Sequence, residues 1–338
     1  MHQDGPVTGR PARIQDVAAA AGVSVATVSN VLNRPELVRP ETAARVRSVV
    51  RELDYVANPA AAGLRNGRAS SIGLVLPDVA NSFYGRIARG AADAAYAHGF
   101  SLVLCHSGDD PAREEAYFSL LADQRAAGAV VVPRGAGPPR LARLRRRGIP
   151  LVLTDRSVPV TEGCSVAVDD VAGGRIAVDH LLRRDPRDVL VVNGGRDIRQ
   201  CLDRHEGARR AARGRPGVSM REIVVEEMTV DAGAAVAAAL TTLPDAVFCT
   251  NDFLAAGLLR GLTDRGVRVP DDVAVVGFGD LDVARLAAVP LTTVRQPVEE
   301  LGRAAVELLL DEVAAARDHT HEARVFAPEL VVRTSAGG

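Results

Sequence analysis

Apolar residues near the start of the chain recur at helical spacing, and from residue 71 onward they gather instead into short β-branched runs. That change of period divides the molecule into two kinds of structure. Ile14, Val17, Ala18 and Ala21 share one helical face, Gly22 ends that helix, and Ser24 can N-cap a second one bearing Val25, Val28, Val31 and Leu32. The pattern is that of a helix-turn-helix. Ala18 is small where two helices cross closely, Gly22 supplies the positive φ that a short turn demands, and Val28 fills the gap between the helices. An ordinary αα-hairpin with an alanine-rich interface is the plainer alternative. Pro40 and Glu41 open a third helix, for which the spacing predicts Ala44, Val46, Val50 and Leu53 facing inward and Tyr55 closing the unit.

The second part alternates strand-like runs with helical segments: SIGLVLP, FSLVLCHS, GAVVV, PLVLTD, CSVAVDD, DVLVVNGG, EIVVEE, DAVFCT and DVAVVGF. Alternating βα units predict parallel sheets, and two such series predict two doubly wound lobes with a cleft at the facing C-terminal strand ends. Polar residues collect at those ends: Asp78 and Asn81, the stretch from His106 to Asp110, Asp155, Asn251 with Asp252, and Asp280. Each alone reads as a helix cap or turn residue, but their common placement favours a binding cleft.

Composition narrows the function. The 338 residues carry a formal net charge of −1, which argues against a general nucleic-acid coat, whereas residues 1 to 68 hold nine arginines against six acidic residues. There is no lysine, all 41 basic residues being arginine, so a P-loop lysine, Schiff-base chemistry and pyridoxal phosphate attachment are excluded. His205 and Glu206 begin like a zinc-binding helix, but Arg209 stands where the second histidine is needed. Gly277-Phe278-Gly279 reads as a strand end rather than a nucleotide loop. Cys105, Cys164, Cys201 and Cys249 are far apart, and buried thiols are expected rather than disulfides or metal ligands. The polar N-terminus and the lack of a long apolar span predict a cytoplasmic protein.

Taken together, DVAAAAGVSVATVSNVLN, YVANPAAAGLRNGRASSIGLVLPDVANSFY, CTNDFLAAG, VAVVGF and PLTTVRQP resemble the LacI/GalR family of bacterial transcriptional regulators from about Arg13 to Thr334. The resemblance implies an all-α helix-turn-helix headpiece and an α/β core like periplasmic binding proteins, made of two doubly wound lobes. The expected division is a flexible tail (1–12), the headpiece (13–57), a hinge helix and linker (58–70) and the core (71–338). Lobe 1 would span about 71–168 and 296–326, and lobe 2 about 169–295 and 327–338. By the same resemblance Val25, Ala26 and Asn30 face base edges, while Ser24, Thr27, Ser29 and Asn33 hold phosphates, and Leu64 of the hinge helix wedges into the minor groove. Asparagine can bond the N6 and N7 of adenine together, and Val25 and Ala26 offer apolar contact suited to a thymine methyl. Many relatives carry arginine at the position of Asn30, so the operator should differ.

For the effector the resemblance implies Phe83 and Tyr84 as stacking walls, with Asp78, Asn81, Asp155, Arg204, Asn251 and Gln296 as polar contacts. Two departures stand out: Gly279 replaces a common aspartate, and Met228 a common aromatic residue. With Arg196 and Arg199 beside Arg204, they favour an anionic ligand, a sugar acid or sugar phosphate, over a neutral sugar. The expected function is a non-enzymatic homodimeric repressor of carbohydrate or related catabolic or transport genes. It would bind near-palindromic double-stranded DNA under control of a small metabolite, with no cofactor, no metal and no membrane contact. The alternatives are a stand-alone solute-binding protein, or a catabolite-control regulator gated by a phosphoprotein.

Overall fold

A computed structural model describes residues 12–55, 70–133, 149–315 and 318–337. The expected hinge helix with Leu64, most of the N-terminal tail and the side chain of Asn33 lie outside the described residues. The chain separates into two compact units, one before Ser70 and one from Ser70 onward.

The first unit holds three helices, α1 (Ile14–Ala21), α2 (Val25–Asn33) and α3 (Pro40–Glu52), around a core of Val17, Ala18, Ala21, Val28, Val31, Ala43, Val46 and Val49. Gly22 caps α1 in the left-handed conformation, φ 64°, so that its N–H reaches back to the carbonyls of Ala18 and Ala19. Asp16 receives the backbone N–H of Arg13 at 2.7 Å, which fixes the other end of α1. The guanidinium Nε of Arg45 on α3 donates to the carbonyl of Ala21 at 3.0 Å, tying the third helix to the end of the first. That docking sets the face of α3, and the expected face is corrected here. Ala43, Val46 and Val49 are buried, Val50 is half-buried, and Ala44 and Leu53 are exposed. Ala44 falls about 100° around the helix from Ala43, and Leu53 lies past the last helical residue, where the helical phase no longer applies.

The second unit contains two six-stranded sheets. Strands β1 (Ser71–Leu76), β2 (Ser101–His106), β3 (Gly128–Val131), β4 (Leu151–Thr154) and β5 (Ser165–Val168) join β11 (Ala323–Phe326) in the order β11-β5-β4-β3-β1-β2. Strands β6 (Asp188–Asn193), β7 (Ser219–Val224), β8 (Ala246–Cys249), β9 (Ala274–Gly279) and β10 (Thr292–Arg295) join β12 (Glu329–Val331) in the order β12-β10-β9-β8-β6-β7. Among the described residues only the β10–β12 pairing is antiparallel. The chain therefore passes between the lobes three times, after β5, β10 and β11. The last three strands are short and carry threonine, arginine or glutamate, which kept β10, β11 and β12 out of the nine apolar runs.

Helices cover both faces of each sheet. In the first lobe these are α4 (Ser82–Ala97), α5 (Pro111–Asp123) and α11 (Val298–Ala315); in the second, α6 (Asp170–Leu181), α7 (Arg199–Ala212), α8 (Val230–Ala239) and α9 (Asp252–Asp264), with a short α10 (Asp282–Leu286). Continuously buried strands such as β3, β4, β8 and β9 are apolar because both faces are covered. The crossing of α6 and α7 is unusually close: a Cβ on Gly174 would penetrate the backbone carbonyl of Arg204. This approach matters for the cavity described below, since it brings the Arg204 side chain onto Asp170. Gly174→Ala should therefore lower core stability by about 1–3 kcal/mol, the usual cost of overpacking. Urea unfolding of the variant with an unchanged midpoint would contradict the close crossing.

Candidate nucleic-acid interface and ligand cavity

Two surfaces collect the candidate functional residues, one in each unit. In the headpiece, α2 begins at Ser24, whose hydroxyl accepts the backbone N–H of Thr27 at 3.1 Å and lies 2.9 Å from the Thr27 hydroxyl. The N-terminal N–H groups of this helix, with two hydroxyls beside them, suit the binding of phosphate oxygens. Ser24, Ala26 and Asn30 are exposed, whereas Val25, Thr27 and Ser29 are half-buried and Val25 also packs against the headpiece core. The helix thus presents one apolar methyl and one amide outward within its first two turns. That is the chemistry of a surface able to meet a thymine methyl and an adenine edge.

In the core, the C-terminal ends of the strands line a cavity of about 360 Å³ between the two lobes. All eight residues proposed from the sequence line it: Asp78, Asn81, Phe83, Tyr84, Asp155, Arg204, Asn251 and Gln296. Asn81 and Asn251 do double duty, since each also caps the helix that follows it. Asn81 accepts the N–H of Phe83 at 3.0 Å, and Asn251 accepts that of Leu254 at 2.8 Å while donating to the carbonyl of Met228 at 3.1 Å. The amide of Asn251 is therefore already engaged. Gln296 is different: it is 3% exposed and its Oε1, buried, has no hydrogen-bond partner among the described residues. A buried acceptor in that condition costs about 1–3 kcal/mol until something donates to it.

Arg204 does not stand as a solvated arginine at a helix start. Only 7% exposed, it donates from Nε to Asp170 at 2.8 Å and from Nη1 to the Thr250 carbonyl at 2.8 Å, and its guanidinium carbon lies 3.8 Å from the centre of the Phe278 ring. Its charge is thereby matched before any ligand arrives. Arg196 and Arg199, expected beside it, lie outside the cavity and pair instead with Glu222 at 3.1 Å and Asp203 at 2.9 Å. The remaining charges on the wall are acidic: Asp78, Asp155, Glu226 and Glu227. Of the three arginines on which the expectation of an anionic ligand rested, only Arg204 lines the cavity among the described residues.

Asp155 connects the lobes. It follows β4 of lobe 1 with a left-handed backbone, φ 64°, and its carboxylate accepts a hydrogen bond from the Gln200 amide of lobe 2 at 2.8 Å. Burial, with the nearby Asp170 charge adding to it and Arg204 and Gln200 opposing, pushes its carboxyl up to about 7. Arg86 of lobe 1 makes a second link, donating to the Asp280 carbonyl at 3.3 Å and to Glu299 at 3.2 Å. Gln200, Phe253 and the Glu226–Glu227 pair were not singled out from the sequence, and Phe278 was read only as part of a strand end. Phe278 was hidden inside an apolar strand run, while Gln200 gave only the weak signal of a polar side chain in the first turn of a helix following a strand.

Comparison with known proteins follows this geometry closely. Residues 13–58 match the family described as bacterial regulatory proteins, lacI family, and residues 178–336 match the periplasmic binding protein-like domain. The HTH-type transcriptional repressor PurR of Vibrio atlanticus is 31% identical over 96% of this chain and 98% of its own. The HTH-type transcriptional regulator DegA of Bacillus subtilis is 33% identical over 95% and 97%. Among solved structures, the transcriptional regulator CelR in complex with cellobiose superposes with a TM-score of 0.71 at 31% identity, covering 96% of this chain and 99% of that one. The lac repressor dimer bound to operator and an anti-inducer gives a TM-score of 0.87 at 23% identity over 97% and 100%, which shows the shared fold.

The raised carboxyl of Asp155 has a measurable sign. In the unfolded chain it titrates near 3.8 and in the folded core near 7, so the stability it contributes is complete below the lower value and lost as pH rises through the higher. Asp155→Asn cannot ionise, and its stability relative to wild type should increase between about pH 4 and pH 7 and level off above that. Parallel pH profiles of urea unfolding for the two proteins would show that Asp155 is not the titrating group.

Proposed function

This chain belongs to the LacI family of bacterial regulatory proteins and is a DNA-binding, effector-regulated transcriptional repressor; on that premise we propose that it acts as a homodimer on near-palindromic operators of carbohydrate uptake or catabolic genes. The role assigned to α2 rests on its outward face. Asn30 reads a base edge, Val25 and Ala26 touch apolar base surface, and Ser24, Thr27 and Ser29 fix the register on phosphates. Each chain supplies one such helix, so two half-sites related by a twofold axis are expected.

The effector is a neutral, hydroxyl-rich ring of monosaccharide size. The observation that carries this reading is the cavity's own charge: its one arginine is already paired with Asp170, while acidic side chains and the unmatched acceptor of Gln296 remain for hydroxyl donors. Phe83 and Tyr84, edge to face with ring centres 5.3 Å apart, supply aromatic surface for the apolar face of such a ring. Binding between the lobes alters their relative closure, and the protein works by differential affinity of its two states for operator rather than by turnover. No helix among the described residues is long and apolar enough to cross a membrane, in keeping with action on cytoplasmic DNA.

Selection of duplexes from a random library at near-physiological salt tests the DNA reading. A twofold-symmetric site should be enriched, and Asn30→Ala should lose discrimination of about 1–3 kcal/mol at one symmetric pair of positions only. Loss spread evenly over the site would instead assign Asn30 to backbone contact. With that operator in hand, titration of neutral sugars beside the corresponding sugar acids and phosphates tests the effector. Neutral members should shift operator affinity at the lowest concentrations, and stronger action by the acids would reject the charge argument. Whatever the sign, operator must change effector affinity by the same factor as effector changes operator affinity.

A further inference from the structure

Away from the cavity, one side-chain cluster is not accounted for by repression. Cys164 precedes β5, Glu312 lies near the end of α11, and His319 and His321 lie on the approach to β11. Their donor atoms, one from each residue, all fall within 4.8 Å of one another. The Cys164 Sγ is 3.0 Å from His319 Nε2 and 3.5 Å from His321 Nδ1, and the two imidazole rings meet edge to face with centres 5.2 Å apart. We propose that Cys164, Glu312, His319 and His321 form a binding site for a zinc(II) ion that pins β11 and α11 to β5.

Three observations carry this assignment. The first is spacing. A tetrahedral zinc ion with its usual bond lengths of roughly 2.3 Å to sulfur and 2.0–2.1 Å to nitrogen holds those two donors about 3.5 Å apart. The cluster already has nearly that separation. The second is hydrogen-bond accounting. The thiol proton can go to only one of the two imidazole nitrogens facing it, so the other ring must turn an N–H to sulfur, a weak acceptor, while Glu312 Oε2 is buried with no hydrogen-bond partner among the described residues. A cation satisfies both imidazoles, the sulfur and the carboxylate at once. A thiolate and a carboxylate also balance a divalent charge, so the complex is neutral where Cys164 is fully buried. The third is the surrounding shell: the backbone N–H of Glu322 points to Cys164 Sγ at 3.5 Å, the kind of N–H to sulfur contact that steadies a metal-bound thiolate.

The sequence offered little warning. No pair of these ligands has the spacing of a zinc finger, because Cys164 stands about 150 residues from the others and only the β5–β11 pairing, Ser165 beside Ala323, unites them. Cys164 was expected as a buried thiol rather than a metal ligand; it is buried, and it lies against two imidazoles. The ligand set mixes borderline-soft sulfur and imidazole with a single carboxylate, which suits zinc(II) better than calcium or magnesium. Because β5 and β11 are parallel, the site sits at their N-terminal ends. The cavity is built on C-terminal ends of the same sheet, so the ion is not an effector contact. Its consequence is mechanical: β11 is an edge strand held by one neighbour, and it begins the third passage between the lobes.

The test uses untagged full-length protein, stripped with a chelator, incubated with zinc chloride and passed through gel filtration. About one zinc per chain should remain, and zinc should raise the thermal midpoint. Cobalt(II) in its place should show thiolate-to-metal charge transfer and the intense visible bands of tetrahedral coordination. Cys164→Ser should abolish the charge-transfer band, and His321→Ala, at a half-buried position, should weaken retention at least tenfold with the far-ultraviolet dichroism of either variant unchanged. Zinc retention no higher than that of a chelator-treated control, or equal retention by wild type and a folded His321→Ala variant, would overturn the proposal. All of these readouts are made on the metal and the fold, so they stand or fall separately from operator binding.

Discussion

The buried pair of Arg204 and Asp170 holds together the second lobe's side of the cavity. Taking two ions out of water costs several kcal/mol each, and the cost is met only where geometry and further hydrogen bonds are good. Here the guanidinium meets a carboxylate, a backbone carbonyl and the face of Phe278, three partners from α6, the end of β8 and β9. Such an arrangement depends on α6 and α7 approaching more closely than side chains normally permit, which the small residue at Gly174 allows. The arginine is thus part of the lobe's packing as well as of the cavity wall. A cation so fully engaged leaves little unmatched positive charge on the cavity wall, where acidic side chains and the buried Gln296 acceptor also stand.

Much of this architecture was visible in the sequence because parallel sheets and helix-turn-helix units leave strong periodic marks. Buried strands appear as unbroken apolar runs, and Gly22 and Ser24 announce the turn between α1 and α2 by backbone chemistry alone. The candidate cavity was legible for a related reason. In a doubly wound lobe the strand ends converge, so Asp78, Asp155 and Asn251, which are scattered in sequence, are brought together by topology. Partner choice was less legible. Arg196 and Arg199 are near Arg204 in sequence but turn to Glu222 and Asp203, since Arg199 is five residues from Arg204 and so on another face of the helix, and Arg196 precedes the helix altogether. The inward face of α3 slipped by one residue for a comparable reason: alanine at 43 and 44 gives no preference, and the contact of Arg45 with Ala21 decides it.

Several cavity residues have structural duties as well, which limits how independently ligand and fold can vary. Asn81 and Asn251 satisfy the N-termini of α4 and α9 with the same side chains that face the cavity. An N-cap contributes about 1 kcal/mol, so replacing either residue would weaken a helix as well as alter a binding surface. A bland interpretation of a polar residue as a cap and a functional one as a ligand contact are therefore not exclusive. Gln296 lacks such a duty for its carbonyl, and that makes it the more informative position about what the cavity receives.

The lobes are joined across the cavity by bonds that a ligand must either keep or replace. Gln200 donates to Asp155, and Arg86 donates to the backbone at Asp280, so the arrangement seen is one in which the lobes already hold each other. A ligand that took over the Asp155 carboxylate would exchange one hydrogen bond for another, a net change of about 1 kcal/mol or less. Its leverage on lobe position must then come from the difference between what it gains with the lobes in this arrangement and in another, not from the total of its contacts. Asp155 is suited to that role because its carboxyl is poised between protonated and ionised forms near neutral pH, able to donate as an acid or accept as an anion. A ligand that bonded this one side chain, which the Gln200 amide of the other lobe already engages, would act directly on a link between the lobes.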